Sequence, residues 1–374
     1  MIGPGRLVRT EIDLRLFGKN YSSVRSLLKS STKLMVVVKG NAYGHGIVPI
    51  AKKAEGLGAD YFGVVCLHEA RLLRNAGIKK PILLLNYTDI DGLDEALDLE
   101  LSLNVVDHDV LYALSRKAGE RKKQALVHVK IDSGMHRLGV TPDDAVSFIN
   151  TVSQTQSIVL EGIFTHFASA DEDDLSFTYQ QLSIFKKIVG SLRKLGITPP
   201  LIHAANSAAT LRVPESHFSM VRPGKILYGP LPSVSYALPF VSKPIMSLKT
   251  QIVQIRQIQK GEIVGYGRTF VAKRNTRIAA IPVGYADGFR RAPKNFGEVL
   301  VKGKRAPLAG RVSMDQSSID ISHIKNVRVG DEVVIIGKQG KDEISAEDVM
   351  EKIGTISYEV TTSLTERVTR VYRR

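Results

Sequence analysis

Lys39 is the residue around which the possible chemistry of this sequence is organised. The β-branched run Val36–Val38 predicts a buried strand that ends on this lysine, and a glycine-rich segment with Tyr43 follows. A lysine at the mouth of an apolar strand loses hydration, which lowers its pKa and makes the amine available as a nucleophile or base. A lone lysine at a strand end more often extends into water, so the other polar residues of the sequence must show whether Lys39 has a chemical role.

Further polar residues lie at or after the C-terminal ends of other predicted strands. They are Lys130, Arg137, His166, His203, Asn206, Ser207, Arg222 and Gly224. Ser207 and Arg222–Gly224 could offer a hydroxyl and backbone N–H groups to a phosphate. The sequence has no Walker lysine motif, no GxGxxG, no GxSxG elbow and no metal-ligand spacing. A strand-end lysine with a phosphate cradle therefore points to pyridoxal phosphate bound through the lysine.

The elements that must position these residues alternate between strand and helix over roughly the first 230 residues. The predicted strands are Leu34–Val38, Tyr61–Val65, Pro81–Leu85, Leu103–Val106, Leu126–Ile131, Val159–Phe164, Leu201–Ala204 and Phe218–Arg222. The predicted helices include His68–Asn75, Asp109–Ala118, Pro142–Val152 and Ser176–Leu195, with Thr141 as a cap. About eight βα units predict an α/β fold, an N-terminal (β/α)₈ barrel, whose chemistry lies at the C-terminal strand ends.

A proline-rich passage separates this region from a second one. We place the domain boundary at residue 240, which gives a barrel over 1–240 and a β-rich C-terminal domain over 241–374. The first residues of the chain are expected to pair with the β domain. The predicted strands there are Gln251–Ile258, Arg277–Val283, Gly297–Val301 and Glu332–Ile336. One clear helix is predicted, starting at Ser345 with Asp348 completing a capping box.

Composition limits the class of protein. The 374 residues carry a net charge of +15, but the basic residues are dispersed and are not interleaved with aromatics, so nucleic-acid binding is a weak alternative to anionic small ligands. The single cysteine, Cys66, lies in an apolar run and is predicted to be a small buried hydrophobe. The sequence shows neither a signal-peptide core nor an apolar run of membrane-spanning length. A cytoplasmic protein is expected.

The segment Val36–Gly46 resembles the pyridoxal-phosphate attachment motif of bacterial alanine racemases, and the resemblance runs along nearly the whole chain. The other matching motifs are Lys130–Gly139, Phe164–Ala168, His203–Ala208, Arg222–Gly224, Gly265–Thr269, Gly284–Gly288, Gly310–Gln316 and Ile356–Glu359. Eight or more motifs in order are far more specific than any one of them. The family fold, a barrel followed by a β domain, agrees with the division above.

The resemblance implies interconversion of L- and D-alanine, which supplies D-alanine for peptidoglycan. Lys39 would hold the cofactor and act as one of two acid–base groups at the substrate Cα. Tyr266 would be the second, reaching the active site of the neighbouring subunit in a head-to-tail homodimer. Arg222 would face the pyridine nitrogen of the cofactor, and His166 would pack against its ring.

The remaining positions follow from the same resemblance. Tyr43, Ser207, Gly224 and Tyr358 match the phosphate contacts, and Arg137 and the Met314 N–H match contacts to the substrate. Lys130 aligns with a lysine that is carbamylated in several members. The narrow access passage of the family corresponds to Tyr285, Asp171, Arg291 and Arg311. The sequence departs from the family pattern at His136, Lys225 and Ser313, which we expect to adjust affinity or specificity.

Other functions on the same barrel are open at this point. A broad-specificity or serine racemase would differ in pocket volume near Tyr358 and Ser313. An amino-acid decarboxylase of this fold would have a glycine triplet at the phosphate site and a C-terminal catalytic cysteine, and the sequence has neither. A non-catalytic cofactor-binding protein usually lacks a β domain and a residue such as Tyr266.

Overall fold

The computed structural model describes residues 7–230, 238–240 and 242–374. These residues form two compact units. The first comprises Leu16–Ala42 and Gly46–Pro244, and the second comprises the described residues before Leu16, Tyr43–His45 and Ile245–Arg374. The first strand of the chain, β1 (Arg9–Asp13), belongs to the second unit. The predicted boundary at residue 240 stays a prediction, since 231–237 and 241 lie outside the described residues.

The first unit is a nearly closed barrel of eight parallel strands. The strands are β2 (Lys33–Val37), β3 (Tyr61–Val64), β4 (Ile82–Leu84), β5 (Ser102–Asn104), β6 (Ala125–Lys130), β7 (Ile158–Phe164), β8 (Leu201–His203) and β9 (Met220–Val221). Neighbours in the chain are neighbours in the sheet from β2 to β8, and β9 pairs with β2. The two ends of the sheet, β8 and β9, approach each other, and the Ser219 N–H just before β9 donates to the Ile202 carbonyl at 3.0 Å.

Helices connect these strands. They are α1 (Leu14–Ser26), α2 (Lys39–Tyr43), α3 (Ile47–Gly56), α4 (Leu67–Asn75), α5 (Leu93–Asp98), α6 (His108–Glu120), α7 (Pro142–Gln154), α8 (Ser176–Lys194), α9 (Ser207–Arg212) and α10 (Lys225–Tyr228). The predicted cap at Thr141 is confirmed: its hydroxyl accepts the Asp144 N–H, and Pro142 opens the helix. No helix in the described residues is long and apolar enough to cross a membrane.

The second unit is mostly β structure. Its further strands are β10 (Met246–Gln251), β11 (Gln254–Ile258), β12 (Ile263–Val264), β13 (Phe270–Val271), β14 (Thr276–Ile281), β15 (Glu298–Val301), β16 (Lys304–Pro307), β17 (Ser317–Asp320), β18 (Glu332–Gln339), β19 (Asp342–Ile344) and β20 (Thr369–Arg373). The largest sheet has the order β16-β15-β18-β10-β1-β20, with β19 beside β18, and β11-β14-β17 forms a second sheet. Aliphatic side chains and the pair Phe289–Phe296, with centroids 4.7 Å apart, fill its core.

The described residues of this unit form two α-helices of its own, α11 (Ala346–Ile353) and α12 (Ser357–Thr362). The predicted capping box is confirmed, because the Asp348 N–H donates to Ser345 Oγ at 2.9 Å and the Ser345 N–H donates to Asp348 Oδ2 at 2.7 Å. The prediction of a single helix is wrong. The second one has only six residues, which is too short to show a helical period in the sequence.

Two further predictions are wrong. The run Gln251–Ile258 is not one strand, because β10 ends at Gln251 and β11 begins at Gln254. Cys66 is exposed, not buried. Strand β3 ends at Val64, two residues before it, and Cys66 adopts the extended conformation of the residue that precedes α4.

Candidate active site

Lys39 follows β2 and begins a single helical turn of left-handed sense. Gly40, Asn41 and Ala42 have φ of 61°, 53° and 53°, and the Ala42 N–H closes the turn on the Val38 carbonyl at 2.7 Å. Left-handed backbone costs roughly 1–2 kcal/mol for each residue that carries a Cβ. The segment after the lysine is therefore strained, and other bonds must hold it.

Two side chains hold this turn. Glu69 accepts the Gly40 N–H at 2.6 Å and the Val65 N–H at 3.0 Å, which ties the turn to the end of the neighbouring strand. Asn41 Oδ1 accepts the Ile47 N–H at 2.8 Å at the start of α3. Strained backbone that is fixed in this way is common at functional sites, because it gives one side chain a defined direction.

The amine of Lys39 has an altered affinity for protons. Its side chain is exposed, yet the protein packed around it lowers its pKa by removing hydration, and the charge of Arg137 lowers it further. The carboxylate of Glu69 offsets part of this shift. The direction is the one expected for a lysine at the end of an apolar strand. A larger fraction of this amine is neutral at a given pH than in water.

One carboxylate organises the loop that carries Arg137. Asp132 accepts the backbone N–H groups of Gly134, Met135, His136 and Arg137 at 2.9–3.0 Å. Burial raises the pKa of Asp132, but these four hydrogen bonds outweigh that effect and leave the pKa lowered. The loop is thus fixed by an ionised side chain at the end of β6.

Lys130 and Arg222 are cations inside the barrel. Lys130 ends β6 and is 6% exposed, and Arg222 directly follows β9 and is 4% exposed. Burial, assisted by the charges of Arg137 and Arg222, lowers the pKa of Lys130 to about 8, and burial lowers the pKa of Arg222 to about 9. Among the described residues neither has a carboxylate at ion-pair distance. A ligand with negative charge would stabilise the charged forms of both side chains.

The guanidinium of Arg222 is held in a fixed orientation. Its Nη2 donates to the carbonyls of Thr165 at 2.6 Å and Ala204 at 3.1 Å, and it lies 3.3 Å from His166 Nδ1. Its Nη1 donates to His203 Nδ1 at 2.8 Å. Burial and the charge of Arg222 keep the pKa of both histidines well below the usual value, so both rings are neutral.

Ser207 and Gly224 lie together where two short helices begin. Ser207 Oγ accepts the Gly224 N–H at 2.9 Å, which joins the loop after β8 to the loop after β9. Asn206 caps α9 by accepting the Ala209 N–H at 3.0 Å. Hydroxyl and backbone N–H donors at helix starts are suited to an anionic group.

Tyr43 and Tyr358 lie together in the second unit. Their ring centroids are 5.9 Å apart. A Cβ on Gly44 would lie 2.0 Å from the Thr361 carbonyl oxygen, so only glycine permits the close approach of this segment to α12. The two phenols are therefore positioned as a pair.

Tyr266 is one of the most exposed large side chains of the second unit. Its ring lies in a turn after β12, is 67% exposed, and has the Arg291 guanidinium carbon 5.8 Å from its centroid. Gly267 leaves room for Arg311, whose Nη1 would be 3.1 Å from a Cβ there. Met314 is 52% exposed, and its carbonyl accepts the Ala286 N–H at 3.1 Å.

The predicted site residues thus fall into groups. Within the barrel, one cluster contains Lys39, Lys130, Arg137, His166 and Arg222. Ser207 with Gly224, and Tyr43 with Tyr358, form two further pairs. Tyr266 and Met314 are exposed on the second unit. Asp132 and Glu69 have no predicted role. Asp132 lies two residues after β6, a position that could have identified it, whereas Glu69 lies in the first turn of α4, where an acidic residue is common.

Two family models match this chain. Residues 12–232 match the family model "Alanine racemase, N-terminal domain", and residues 245–372 match "Alanine racemase, C-terminal domain". The chain belongs to the alanine racemase family. It is therefore an isomerase of the amino-acid racemase class, and the resemblance inferred from the motifs is confirmed.

Individual alanine racemases match over their full length. The alanine racemase of Halothermothrix orenii is 42% identical over 363 residues, which cover 97% of this chain and 96% of the relative. The alanine racemase structure from Clostridium difficile 630 has a TM-score of 0.94 at 36% identity, covering 99% of this chain and 96% of that one. The Bacillus anthracis structure with bound L-Ala-P has a TM-score of 0.94 at 37% identity, with the same coverage.

The departures from the alanine racemase pattern have defined places. His136 is exposed and has φ of 53°, a left-handed position in the loop held by Asp132. Lys225 is buried at the start of α10, beside Gly224. The Ser313 carbonyl accepts the Tyr285 N–H at 3.0 Å, which joins this position to the segment predicted to form the access passage.

Proposed function

We propose that this protein interconverts L- and D-alanine with pyridoxal phosphate as cofactor. The observation that carries the proposal is the position of the Lys39 amine at the end of β2, where burial lowers its pKa, in a cluster of cations that have no carboxylate at ion-pair distance in the described residues. A neutral amine is what attachment of a carbonyl cofactor requires. The surrounding positive charge suits an anionic cofactor and the carboxylate of an amino acid.

The residues present fit this cofactor. Lys39 would attach its carbonyl carbon, and Arg222, whose guanidinium can only donate, would donate to its pyridine nitrogen. His166, kept neutral by burial and by the charge of Arg222, would pack against its ring. For its phosphate we propose the joined Ser207 and Gly224 together with the hydroxyls of Tyr43 and Tyr358.

When bound, pyridoxal phosphate withdraws electrons from the substrate Cα and so acidifies its C–H bond. Racemisation requires removal of this proton on one face and delivery of a proton on the other. We assign the first face to the Lys39 amine, which has lost part of its hydration and can accept the proton. We assign the opposite face to the hydroxyl of Tyr266 of the partner subunit.

Arg222 limits the reaction to proton exchange at Cα. A guanidinium donates a hydrogen bond but gives up its proton reluctantly, and the pKa of Arg222 is about 9, so it stays charged at neutral pH. Less negative charge is drawn onto the ring than with a carboxylate partner. Return of the proton to Cα is therefore favoured over transamination.

The substrate carboxylate requires donors that are already in place. Arg137 is carried by the loop that Asp132 fixes, and we assign it to the substrate together with the Met314 N–H of the partner subunit. We assign Tyr285, Asp171, Arg291 and Arg311 to the access passage. Two active sites, each completed by the other chain, imply a homodimer. Its product would supply D-alanine for peptidoglycan in the cytoplasm.

The first test is formation of D-alanine. The enzyme is incubated with L-alanine and pyridoxal phosphate, and the enantiomers are separated by chiral chromatography. We expect equal amounts of both at equilibrium. Parallel rates on L-serine and small basic amino acids separate an alanine racemase from a broad-specificity or serine racemase. Absence of D-alanine would remove the basis of the proposal.

The second test concerns Lys39 as the residue that attaches the cofactor. Lys39→Ala is expected to lose the visible absorbance of lysine-bound cofactor and to lower the racemisation rate by on the order of a thousandfold. Lys52→Ala, an exposed lysine in α3, is the matched control and should retain both. Unchanged absorbance in Lys39→Ala would refute the assignment.

A further inference from the structure

A line of four side chains runs through the barrel from Arg222. Arg222 Nη1 lies 2.8 Å from His203 Nδ1, and His203 Nε2 lies 2.9 Å from His128 Nδ1. His128 Nε2 lies 3.0 Å from Glu161 Oε2. Both histidines are fully buried. The four residues come from β6, β7, β8 and the end of β9, so the line crosses neighbouring strands.

The chemistry of the end groups sets the direction of every hydrogen bond in this line. A guanidinium only donates, so His203 Nδ1 must accept. Burial lowers the pKa of both histidines, so each neutral ring has one donor and one acceptor. His203 therefore donates from Nε2 to His128 Nδ1, and His128 donates from Nε2 to Glu161. Both rings carry their proton on Nε2.

Glu161 at the far end is a carboxylate with three donors. Ser102 Oγ donates to its Oε2 at 2.5 Å, and the Tyr61 hydroxyl donates to its Oε1. Burial raises the pKa of Glu161, but the bonds from His128, Ser102 and Tyr61 outweigh burial and hold the pKa at about 2. The residue is ionised throughout the neutral range.

The backbone of β7 is shaped for this contact. Val127 pairs with Leu160 and His128 pairs with Gly162, so Glu161 is the extra residue of a β-bulge. Bulges redirect a side chain, and they are frequent near active sites. A Cβ on Gly162 would lie 2.4 Å from His128 Nδ1, so glycine is required for the ring to lie against the strand.

We infer that Glu161 is a positioning residue for Arg222 and acts through neutral His128 and His203. Arg222 is a buried cation without a carboxylate partner in the described part of the chain, and Glu161 is the first anion along its hydrogen bonds. Its negative charge stabilises the charged guanidinium, and the fixed lone pair of His203 orients it. The inference rests on the proposed function only for the pyridine nitrogen that Arg222 would face.

The direction of the hydrogen bonds in this line of four side chains is tested on the holoenzyme labelled with nitrogen-15 at histidine. Long-range proton–nitrogen NMR reports which ring nitrogen is protonated, and His128→Gln and His203→Gln assign the signals. We expect Nε2–H for both rings, without titration between about pH 5 and 8. A proton on Nδ1, or titration of either ring in this range, would contradict these hydrogen-bond directions and overturn the inference. This measurement requires neither activity nor a folded Glu161 variant.

The positioning role is tested with Glu161→Gln, which removes the charge and keeps an oxygen that can accept from His128. We expect kcat for alanine to fall about tenfold while KM changes less than about twofold, because Arg222 acts on the reacting state. Glu298→Gln, a carboxylate of the second unit that accepts from Arg305 at 2.9 Å, should leave kcat unchanged. A wild-type kcat in Glu161→Gln contradicts the role. Lack of racemisation by the wild type would instead refute the proposed function.

Discussion

At the residue scale, the C-terminal strand ends of the barrel concentrate positive charge on few groups. Lys39, Lys130, Arg137 and Arg222 each lower the pKa of His166, and three of them lower the pKa of Lys130 as well. Such an arrangement is costly in the free protein, because the buried Lys130 and Arg222 lose hydration and the cations repel one another. An anionic cofactor, or a carbamate on Lys130, would supply the missing negative charge.

Lys130 should therefore destabilise the fold below its own pKa. Its pKa is about 8 in the folded chain against 10.5 for an unperturbed lysine, so the unfolded chain binds more protons between these values. Stability then rises with pH from about 8 to about 10.5, by on the order of 3 kcal/mol. Urea unfolding of the wild type in CO₂-free buffer at both ends of this range measures the rise.

Lys130→Met should lose the part of this rise that Lys130 contributes, because methionine does not titrate, while Arg222, whose pKa is about 9, keeps its own contribution. Lys187→Met, an exposed lysine of α8, serves as the control and should behave as the wild type. An equal rise in Lys130→Met and the wild type would contradict the assignment. In bicarbonate buffer, a mass increase of one CO₂ that is absent from Lys130→Met would identify a carbamate at this position.

At the element scale, the loop after β6 depends on one side chain. Asp132 holds four consecutive backbone N–H groups, the last of them from Arg137. Its pKa is lowered in the folded chain, so its contribution is present above the unfolded value of 3.8 and is lost as the pH falls through the folded value. Acid should therefore loosen this loop.

Asp132→Ala should lower stability at neutral pH by on the order of 3 kcal/mol, because four N–H groups lose a charged acceptor. It should also raise KM for alanine about tenfold, since Arg137 loses its fixed position. Urea unfolding and steady-state kinetics measure the two effects. Asp143→Ala, in the exposed first turn of α7, is the control. If KM is unchanged, the loop does not position Arg137 for substrate.

The sequence predicts elements well where burial alone decides them. Leu34–Val37 of β2 are buried on both faces, as in parallel sheets generally, so this strand reads as a continuous apolar run. All eight predicted barrel strands are present within two residues. The sequence predicts no bounds for β1, only that the first residues pair with the β domain, and it does not predict β20, because their pairing joins Asp13 to Arg373 across nearly the whole chain.

The site residues likewise divide into those that the sequence indicates and those that it does not. Lys39 and Arg222 could be singled out as candidates because each directly follows an apolar run, His166 lies two residues after such a run, and Arg137 is indicated by the motif Lys130–Gly139. The left-handed turn after Lys39 could not be predicted, since Ala42 and Tyr43 in it are residue types that disfavour a positive φ. Glu161 lies inside a strand, and only the bulge directs it to His128. Contacts of this kind depend on side-chain geometry that residue types do not encode.

At the scale of the whole molecule, the two proposed acid–base groups belong to different units. Lys39 is part of the barrel, and Tyr266 is exposed on the β unit, with Met314, which is also exposed. A phenol that is 67% exposed in one chain requires a covering surface to work in a water-poor site. A second copy of the chain, related by two-fold symmetry, would cover both sites in the same way.

Mixed dimers test this arrangement directly. Lys39→Ala and Tyr266→Phe are each expected to be inactive as homodimers, since every site lacks one group. In a mixed dimer with shared sites, one site lacks both groups and the other has both, so about half of the wild-type activity should return. The two variants are coexpressed with different affinity tags, and the mixed dimer is isolated by sequential capture.

The competing arrangement predicts a different result for the same sample. If Tyr266 served Lys39 of its own chain, each site of the mixed dimer would still lack one group, and no activity would return. A wild-type dimer carrying both tags and a doubly tagged Lys39→Ala dimer fix the upper and lower limits of the assay. An inactive mixed dimer beside a fully active tagged wild type would refute the shared site.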